Sequence, residues 1–416
     1  MAQVLIVGGG TAGITVALGL AKRGIFSTIA EKSPTIGGRV SELCCKGVTE
    51  CVRCDVCLSN DKIKDLVQSD FIRVLTDTEL VRVTGKPGAY RATLKRSASF
   101  VREDACVTCG ACTEACPVEG GAIRCSTHDS APKTYRVDTK ICSRFKGEDC
   151  EICVDVCPTG AIDFSAATSK KQITVSAIIV ANGYEPFDPS IEKRYGYGIC
   201  SDVVSAVEVE RSINRTGRIL VPSTGTTPKR IAMIQCVGSR DDRFGASYCS
   251  KVCCKYALKI GQLLRIQNPE AHISFFFLDW RPSDLIDDEL ATWATKGNDI
   301  ALIRSRPAEI IVGELGPPIL RFASSNDEEV REEEFDLVIL SVGILPPIDA
   351  PELASLLHLK TTEQGFIAVD NGLDDVDENS GIFAAGCCTG PKDITDSVMD
   401  GMTTAGKVIS FLEVLK

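Results

Sequence analysis

The chain has 416 residues, enough for two or three domains, and its 44% apolar and 25% charged residues are ordinary for a globular protein. A net charge of −10 makes nucleic acid and anionic membranes poor partners. The N-terminus lacks the basic and apolar pattern of a signal peptide, and no apolar run is long enough to span a bilayer. We therefore expect a soluble, cytoplasmic chain, with a membrane-bound partner left open.

Cysteine is the unusual component, because the chain has 21 cysteines but only 3 histidines. An odd number of cysteines in a chain of cytosolic character argues against a disulfide framework. The short, regular spacings between many of them indicate metal binding. Since histidine is rare, mixed Cys/His zinc sites are disfavoured, and thiolates alone suit zinc or iron–sulfur clusters.

Strand and helix patterns alternate along the chain, which predicts an α/β fold with parallel sheets. The acidic run Asp327–Glu334 is predicted to be a solvated turn, and residues 44–57 are predicted to be irregular. The main predicted strands are Gln3–Val7, Ser27–Glu31, Ser176–Val180, Arg230–Gln235, Phe335–Val342 and Gly381–Ala385, and the terminal predicted helices are Ile14–Lys22 and Asp393–Leu415.

A glycine-rich loop at residues 8–13 (Gly-Gly-Gly-Thr-Ala-Gly) joins the first predicted strand to the first helix. This G-x-G-x-x-G has the context of a dinucleotide site, in which the backbone approaches a pyrophosphate at the helix N-terminus. Glu31, at the end of the next strand, is placed to accept from ribose hydroxyls. The alternative is a strand–helix turn without a ligand. The candidate residues of this part are Gly8, Gly10, Thr11, Ala12, Gly13, Glu31, Lys32, Gly38 and Arg39.

Two later segments favour FAD over NAD. Residues 181–183 (Ala-Asn-Gly) resemble the Ala-Thr-Gly turn of two-dinucleotide-domain flavoproteins, and residues 381–386 resemble their last flavin-contacting strand. That family usually has Asp after the final glycine, to hold the ribitol, whereas Cys387 stands there in this chain. The resemblance adds Gly183, Gly386, Cys387, Asp393 and Ile394 to the candidate FAD site.

Two similar cysteine runs follow in residues 101–164. The first has the C-x2-C-x2-C-x3-C-P spacing of bacterial ferredoxins, and the second repeats it with its first cysteine displaced. In two-cluster ferredoxins the fourth cysteine of each run binds the other cluster. Cys125 is left over and is predicted to be a buried thiol. One 4Fe–4S cluster is therefore assigned to Cys106, Cys109, Cys112 and Cys157, and the other to Cys142, Cys150, Cys153 and Cys116.

A third cysteine group consists of Cys236, Cys249, Cys253 and Cys254. Adjacent cysteines are awkward ligands for one tetrahedral zinc, but they can reach two irons of a cluster. The group begins where a second dinucleotide domain would have its glycine loop, and residues 236–239 (Cys-Val-Gly-Ser) replace that loop. We therefore expect a second Rossmann-like domain that binds no NAD(P)H.

The whole chain resembles the core of the A subunit of heterodisulfide reductase. The resemblance is carried by residues 234–241 (Ile-Gln-Cys-Val-Gly-Ser-Arg-Asp), 248–254 (Tyr-Cys-Ser-Lys-Val-Cys-Cys) and 386–394 (Gly-Cys-Cys-Thr-Gly-Pro-Lys-Asp-Ile). It implies a thioredoxin-reductase-like fold with an inserted ferredoxin domain, and a non-standard 4Fe–4S cluster near FAD, bound by the Cys236 group. Because the chain ends at Lys416, it resembles the short forms found in the quinone-interacting sulfate-reduction complex and the ATP-independent benzoyl-CoA reductase complex.

The chain departs from that family in a further cysteine group near the N-terminus, where family members have fewer cysteines. The run Cys51-x2-Cys54-x2-Cys57, together with Cys44 or Cys45, is a candidate site for a fourth cluster. The alternative is a set of reduced thiols, or of ligands that are only partly used.

The predicted domain organisation follows from these motifs. The FAD-binding domain is expected at residues 1–98, 166–190 and 344–416, interrupted by a two-cluster ferredoxin-like domain at residues 99–165. The second Rossmann-like domain, with its cysteine-bound cluster, is expected at residues 191–343.

The expected function is electron transfer, within an oxidoreductase complex, by a chain that contains FAD and at least three 4Fe–4S clusters. FAD exchanges electrons two at a time and clusters one at a time, so the chain would convert between the two, with electron bifurcation or confurcation as a special form. Because no nucleophile–base pair is evident, substrate-level catalysis is expected on a partner with further iron–sulfur or flavin sites. The alternatives are a self-sufficient NAD(P)H oxidoreductase, similar to the small subunit of glutamate synthase, and a non-enzymatic iron–sulfur carrier.

The start of the closing helix is expected to face the flavin ring. Asp393 is predicted to be its N-cap, so that the positive helix end would stabilise a reduced flavin. Lys392 would add a full positive charge near the ring. The alternative is that Lys392 is a solvated surface lysine.

Overall fold

The structure is a computed structural model that describes residues 3–47, 51–118, 121–125, 135–281, 300–313, 316–323, 329–368 and 380–415. The α/β fold predicted from the alternating pattern is confirmed, with strands and helices interleaved along the chain. None of the helices in these ranges is long and apolar enough to cross a membrane.

The strands of the described ranges are numbered in chain order. They are β1 Gln3–Val7, β2 Phe26–Ala30, β3 Ile72–Leu75, β4 Thr78–Lys86, β5 Ala89–Arg96, β6 Ile123–Cys125, β7 Tyr135–Val137, β8 Ser169–Val175, β9 Ala177–Val180, β10 Glu185–Pro186, β11 Val203–Ser205, β12 Arg230–Val237, β13 His272–Phe277, β14 Ile300–Arg304, β15 Glu309–Ile311, β16 Ile319–Ala323, β17 Val330–Glu334, β18 Leu337–Val342, β19 Ile344–Leu345 and β20 Ile382–Ala384.

The α-helices are numbered in the same way. They are α1 Thr11–Ala21, α2 Val56–Val67, α3 Ala111–Glu114, α4 Ile152–Asp155, α5 Ala206–Thr216, α6 Cys253–Gln267, α7 Ala350–Leu357 and α8 Ile394–Val414.

Two five-stranded parallel sheets form the two halves of the fold, in the orders β20-β9-β1-β2-β3 and β11-β18-β12-β13-β14. Their central strands read as nearly continuous apolar runs, because a parallel sheet is covered by other elements on both faces. In both sheets the strand that precedes a loop with glycine, β1 or β12, occupies the third position.

The first sheet is covered on one side by α1 and α8, which pack closely because small residues face each other. A Cβ atom on Gly401 would lie 2.8 Å from the carbonyl oxygen of Ala12, and one on Gly19 would lie 2.8 Å from the Cβ of Ala405. The close contact fixes the C-terminal helix beside the glycine loop at the start of α1.

Residues 99–165 stand between β5 and β8, two paired strands of an antiparallel sheet. This segment, called the insert below, contains α3, α4 and the hairpin β6–β7 around a small core. Cys125 is the last residue of β6 and its side chain is exposed, so the prediction of a buried thiol is wrong.

The acidic run was predicted to be a turn, and this prediction is wrong for its described part. Val330–Glu334 is β17, the edge strand of an antiparallel sheet with β15 and β16, whereas residues 327–328 lie outside the described ranges. Arg321 on β16 pairs with Glu332 at 2.8 Å and also with Glu309 on β15. The Arg321–Glu332 pair and a further pair between Arg230 and Glu333, at 3.3 Å, compensate two negative charges of the run and support it as a strand.

Candidate functional site

A cavity of about 920 Å³ opens along the carboxyl ends of the first sheet and reaches α5 and α6 of the second half. Ligands of open α/β sheets bind at this edge, and the volume is ample for a dinucleotide. Most of the residues predicted for the FAD site lie around it. They are Gly8, Gly10, Thr11, Ala12, Glu31, Lys32, Gly38, Arg39, Gly183, Gly386, Cys387, Lys392, Asp393 and Ile394.

The glycine loop has the geometry that a pyrophosphate needs. Helix α1 begins directly after Gly10, and no side chain caps it, so its first backbone N–H groups remain available to an anion. Gly8 has φ of +109°, and a Cβ atom there would lie 2.2 Å from the carbonyl oxygen of Ala181. Gly13 lies behind the cavity, where a Cβ atom would meet the carbonyl oxygen of Gly8 at 2.1 Å.

Glu31 is buried at the end of β2, where its carboxylate accepts from the backbone N–H of Gly9 at 2.6 Å and of Ser33 at 2.7 Å. These bonds hold the carboxylate beside the glycine loop, the position from which it would meet a ribose. Lys32 pairs with Asp349 at 3.3 Å, and Arg39 pairs with Glu185. Both cations border the cavity.

Helix α8 also begins at the cavity, and its start agrees with the prediction. The Asp393 carboxylate accepts from the backbone N–H of Asp396 at 2.7 Å, which confirms Asp393 as the N-cap, and it also pairs with Lys255 at 3.2 Å. The thiol of Cys387 donates to the carbonyl oxygen of Lys392 at 3.3 Å, and burial raises the pKa of Cys387. Cys387 is therefore a neutral donor at neutral pH.

Lys392 lies at the cavity wall with a side chain that is 22% exposed. Its ammonium group donates to the carbonyl oxygen of Gly386 at 3.2 Å and pairs with Asp400 at 3.3 Å. Asp400 in turn accepts from the backbone N–H of Gly386 at 2.7 Å. The lysine is therefore part of the cavity wall, where the Asp400 carboxylate partly neutralises its positive charge.

Several residues of the cavity wall lie at the junction of the two halves and are not predicted by sequence patterns. Lys46 and Glu210 form a buried ion pair at 2.6 Å, and Tyr184 and Tyr256 border the same space. A usable signal exists only for α6, where two lysines recur about one helical turn apart, at positions 255 and 259. The other residues are brought together by the tertiary fold alone.

The corresponding loop of the second sheet differs from a dinucleotide loop. Residues 238–252 separate β12 from α6, so no helix N-terminus follows the strand directly. A Cβ atom on Gly238 would lie 1.9 Å from the ring of Phe187, which shows that this ring covers the backbone of the loop. The ring of Phe187 therefore occupies the space beside the backbone of this loop.

The third cysteine group lies within that loop and at its two ends. Cys236, Cys253 and Cys254 are buried and Cys249 is partly exposed, with Cys236 held at φ of +59°. Burial raises the pKa of Cys236, while Arg240 and Arg306 act in the opposite direction. The buried side chains of Gln235 and Ser239 have no hydrogen-bond partner within the described ranges. Four thiols, two nearby arginines and unpaired polar groups fit an additional group with negative charge.

The insert brings the predicted second set of cysteines together. Cys116, Cys142, Cys150 and Cys153 all line one small cavity. The fourth cysteine of each run accepts a backbone hydrogen bond in the same way, Cys116 from Ala122 and Cys157 from Ala161, both at 3.2 Å. The repeated bond reflects the internal duplication seen in the sequence.

Three cysteines of the first set lie near Tyr135 on β7. Burial raises the pKa of Tyr135, and among the charges that raise it further are those of Cys112, Cys106 and Cys109, which places these three cysteines near the phenol. For Cys157 burial is outweighed by N–H donors from Ala161 and its neighbours, so its pKa is lowered. A lowered pKa favours the thiolate that a metal requires.

The cysteines of the N-terminal group lie in different environments. Cys44 is buried, and both its thiol and its backbone N–H donate to Glu210, at 3.1 and 2.9 Å. Burial, followed by the charge of Glu210, raises the pKa of Cys44. Cys45, Cys51 and Cys57 are exposed, and Cys54 borders the large cavity.

The fold and the cavity together define a flavoprotein oxidoreductase with two Rossmann-like halves. The family model described as pyridine nucleotide-disulphide oxidoreductase matches residues 2–405. The chain belongs to this family.

Curated relatives agree with the resemblance found in the sequence. The chain is 36% identical to an iron–sulfur A subunit of the CoB–CoM heterodisulfide reductase of Methanopyrus kandleri, over 99% of this chain and 64% of the relative. It is 34% identical to the A subunit of the ferredoxin:CoB–CoM heterodisulfide reductase of Methanosarcina mazei, over 99% of this chain and 53% of the relative. The chain thus spans between about half and two thirds of the length of these relatives.

Solved structures show the same fold at low sequence identity. The thioredoxin reductase of Lactococcus lactis has a TM-score of 0.55 and 16% identity, with 99% of each chain covered. The thioredoxin reductase of T. acidophilum has a TM-score of 0.52 and 14% identity, with both chains fully covered. The predicted thioredoxin-reductase-like fold is therefore confirmed.

Proposed function

We propose that the chain is an electron-transfer component of a larger oxidoreductase complex, with FAD in the large cavity and three 4Fe–4S clusters bound by the insert and the Cys236 group. The supporting observation is the contrast between the two loops. The loop after β1 leaves open backbone N–H groups for a pyrophosphate, whereas the loop after β12 is covered by Phe187 and surrounded by four cysteines. Flavin in the first half would then exchange electrons with a cluster in the second.

The chain's own residues would hold these groups. Backbone N–H groups at the start of α1 would bind the pyrophosphate, and Glu31 would turn its carboxylate toward the ribose. The capped N-terminus of α8, with Lys392, would stabilise negative charge on the flavin ring. When bound, FAD supplies two-electron and the clusters one-electron chemistry.

The cysteine sets favour clusters over single zinc ions. The run at residues 106–117 has the cysteine spacing of bacterial ferredoxins. In the third group, the adjacent Cys253 and Cys254 are awkward ligands for one tetrahedral zinc ion, but they can reach two irons of a cluster. Arg240 hydrogen-bonds Cys236 and would stabilise its thiolate, and through that bond it would tune the potential of the cluster.

The relatives' names support the wider role. They describe subunits of heterodisulfide reductases, one of them an iron–sulfur protein. We infer partners that carry further iron–sulfur or flavin sites and the substrate-level reaction. Electron bifurcation or confurcation would be the special form of this role in which the flavin serves two partners at different potentials.

Stopped-flow mixing of the anaerobically purified protein tests the proposal. Titanium(III) citrate, a low-potential one-electron donor, is expected to reduce both the flavin and the clusters. NADH and NADPH are expected to leave the flavin oxidised over the same period, because the second loop offers no phosphate site. Rapid reduction of the flavin by either nucleotide would contradict the proposal and favour a self-sufficient NAD(P)H oxidoreductase.

A further inference from the structure

The N-terminal cysteine run has the backbone conformation of the ferredoxin-type run in the insert. Residues 51–57 (Cys-Val-Arg-Cys-Asp-Val-Cys) and 106–112 (Cys-Val-Thr-Cys-Gly-Ala-Cys) have positive φ at the same two positions. These are Arg53 at +49° and Asp55 at +61° in the first, and Thr108 at +53° and Gly110 at +88° in the second. In both runs a helix, α2 or α3, begins one residue before the third cysteine.

This agreement is not a general property of loops. A positive φ is uncommon outside glycine, so two such residues so close together require a specific constraint. The first run also has a backbone hydrogen bond to sulfur, from Arg53 to Cys51 at 3.4 Å. The Cys236 group contains the same bond, from Lys251 to Cys249 at 3.4 Å. Such N–H donors stabilise the thiolates of cluster sites.

We propose that Cys51, Cys54 and Cys57, with Cys45 as the fourth ligand, bind an additional 4Fe–4S cluster. The proposal rests on the function proposed above, which supplies the other three clusters. Charges of Cys54 and Cys51 both act on Cys57, so the three thiols are near one another. Cys44 is unsuitable because it is buried and its thiol donates to Glu210. The neighbouring Cys45 is exposed and not held in this way.

The position of the run gives the cluster a role. The carbonyl oxygen of Arg53 accepts from Lys259 on α6 at 2.8 Å, and Asp55 accepts from Thr395 on α8 at 3.0 Å. Ser59 on α2 also bonds Thr11 at the start of α1, at 2.8 Å. These bonds hold the run and its helix α2 against α6, α8 and α1, three helices that line the large cavity. Cys54 borders this cavity, whereas Cys51 and Cys57 are exposed at the protein surface.

A cluster there would connect the flavin with the protein surface along a path separate from the insert. A partner with a one-electron cofactor that docks at this surface would then exchange electrons with the flavin through the cluster.

Metal analysis of the anaerobically purified holoprotein tests the proposal. About sixteen irons per chain are expected, four for each cluster. Cys54→Ser and Cys57→Ser should each lose about four irons, with a matching loss of acid-labile sulfide and of the EPR signal of one reduced cluster. FAD content should stay unchanged in Cys57→Ser, whose side chain is exposed and does not line the cavity, which shows that this variant is folded.

The fourth ligand is tested by a matched pair of neighbouring cysteines. Cys45→Ser should lose the same quarter of the iron, whereas Cys44→Ala should keep all of it. If Cys44→Ala loses the iron and Cys45→Ser keeps it, the assignment of Cys45 is wrong.

The outcomes separate this inference from the proposed function. About twelve irons in the parent protein, unchanged in Cys54→Ser, would overturn the fourth cluster but leave the other three. Zinc that disappears in Cys54→Ser would also overturn it, since four thiolates can bind zinc. A Cys106→Ser variant that loses no iron would instead contradict the proposed function.

Discussion

Two loops in equivalent places show how one fold accepts different ligands. After β1, helix α1 begins shortly after the strand and the glycines leave its N-terminus open. After β12, residues 238–252 delay the next helix, and Phe187 covers Gly238. The strand that leads into the loop occupies the third position in both sheets. The difference therefore lies in the loop and its cover, and the sheet by itself does not determine what is bound.

The largest expected effect concerns the cover of the second loop. Phe187→Ala should lower the free energy of unfolding by about 3–5 kcal/mol, because a buried aromatic ring is removed and a cavity remains. Chemical denaturation followed by tryptophan fluorescence measures the change. Phe71→Ala, at an exposed phenylalanine, is the control and should cost far less. Equal losses in the two variants would show that Phe187 is not a packed cover.

The next effect concerns the open loop. A Cβ atom on Gly10 would meet only the Cα of Gly38, at 3.9 Å, so a side chain fits the protein but occupies the approach to the pyrophosphate. Gly10→Val should weaken FAD binding tenfold to a hundredfold, about 1.4–2.8 kcal/mol. Equilibrium dialysis with FAD measures it. Gly406→Ala, where nothing lies within 4 Å, is the control, and an unchanged affinity in Gly10→Val would place the flavin elsewhere.

The sequence was sufficient for the open loop but not for the covered one. The glycine spacing, Glu31 and the N-cap Asp393 are local signals, and the helices and strands that carry them were placed within a few residues. The cover of Gly238 comes from Phe187, far away in sequence, and the pair Lys46–Glu210 joins two separate segments. The acidic strand β17 was missed because its charges are compensated by Arg321 on another strand. Such partners are chosen by tertiary packing, which residue patterns do not encode locally.

A smaller effect should follow from the ion pairs that support the second loop. Arg243 pairs with Asp241 at 2.6 Å and with Glu192 at 2.8 Å. The pKa of Asp241 is lowered mainly by its hydrogen bond from Arg243. The pKa of Glu192 is lowered mainly by a hydrogen bond from Arg194, with Arg243 as a further cause. Because Arg243 is half exposed, solvent screens the pairs, and Arg243→Gln should lower the Tm by only about 2–4 °C at pH 7.

The pH dependence of this difference has a definite sign. The ordinary pKa values are 4.5 for Glu192 and 3.8 for Asp241, and the folded values are lower. The stabilisation is thus complete above the unfolded values and is lost as the pH falls through the folded ones. Differential scanning calorimetry should show the difference between parent and Arg243→Gln shrinking below about pH 4. Arg243→Lys should retain part of it, and a difference that grows in acid would contradict the account.

The smallest effect concerns Lys392 in the cavity wall, near the expected position of the flavin ring. Lys392→Met should lower the flavin midpoint potential by about 20–40 mV without loss of FAD, because a positive charge that favours the reduced flavin is removed. Asp400→Asn, which removes the paired negative charge, should shift the potential in the opposite direction. Spectroelectrochemical titration measures both. Unchanged potentials in both variants would show that Lys392 lies too far from the ring to act on it.

The flavin of the first half is expected to exchange electrons with cysteine-bound clusters in the same chain. Anaerobic coulometric titration of the holoprotein, followed by absorbance and EPR, measures how many electrons these groups accept. About five electrons per chain are expected, two for FAD and one for each of three clusters, or about six with the additional cluster. Uptake of only about two electrons, with flavin bleaching and no cluster signal, would contradict this expectation.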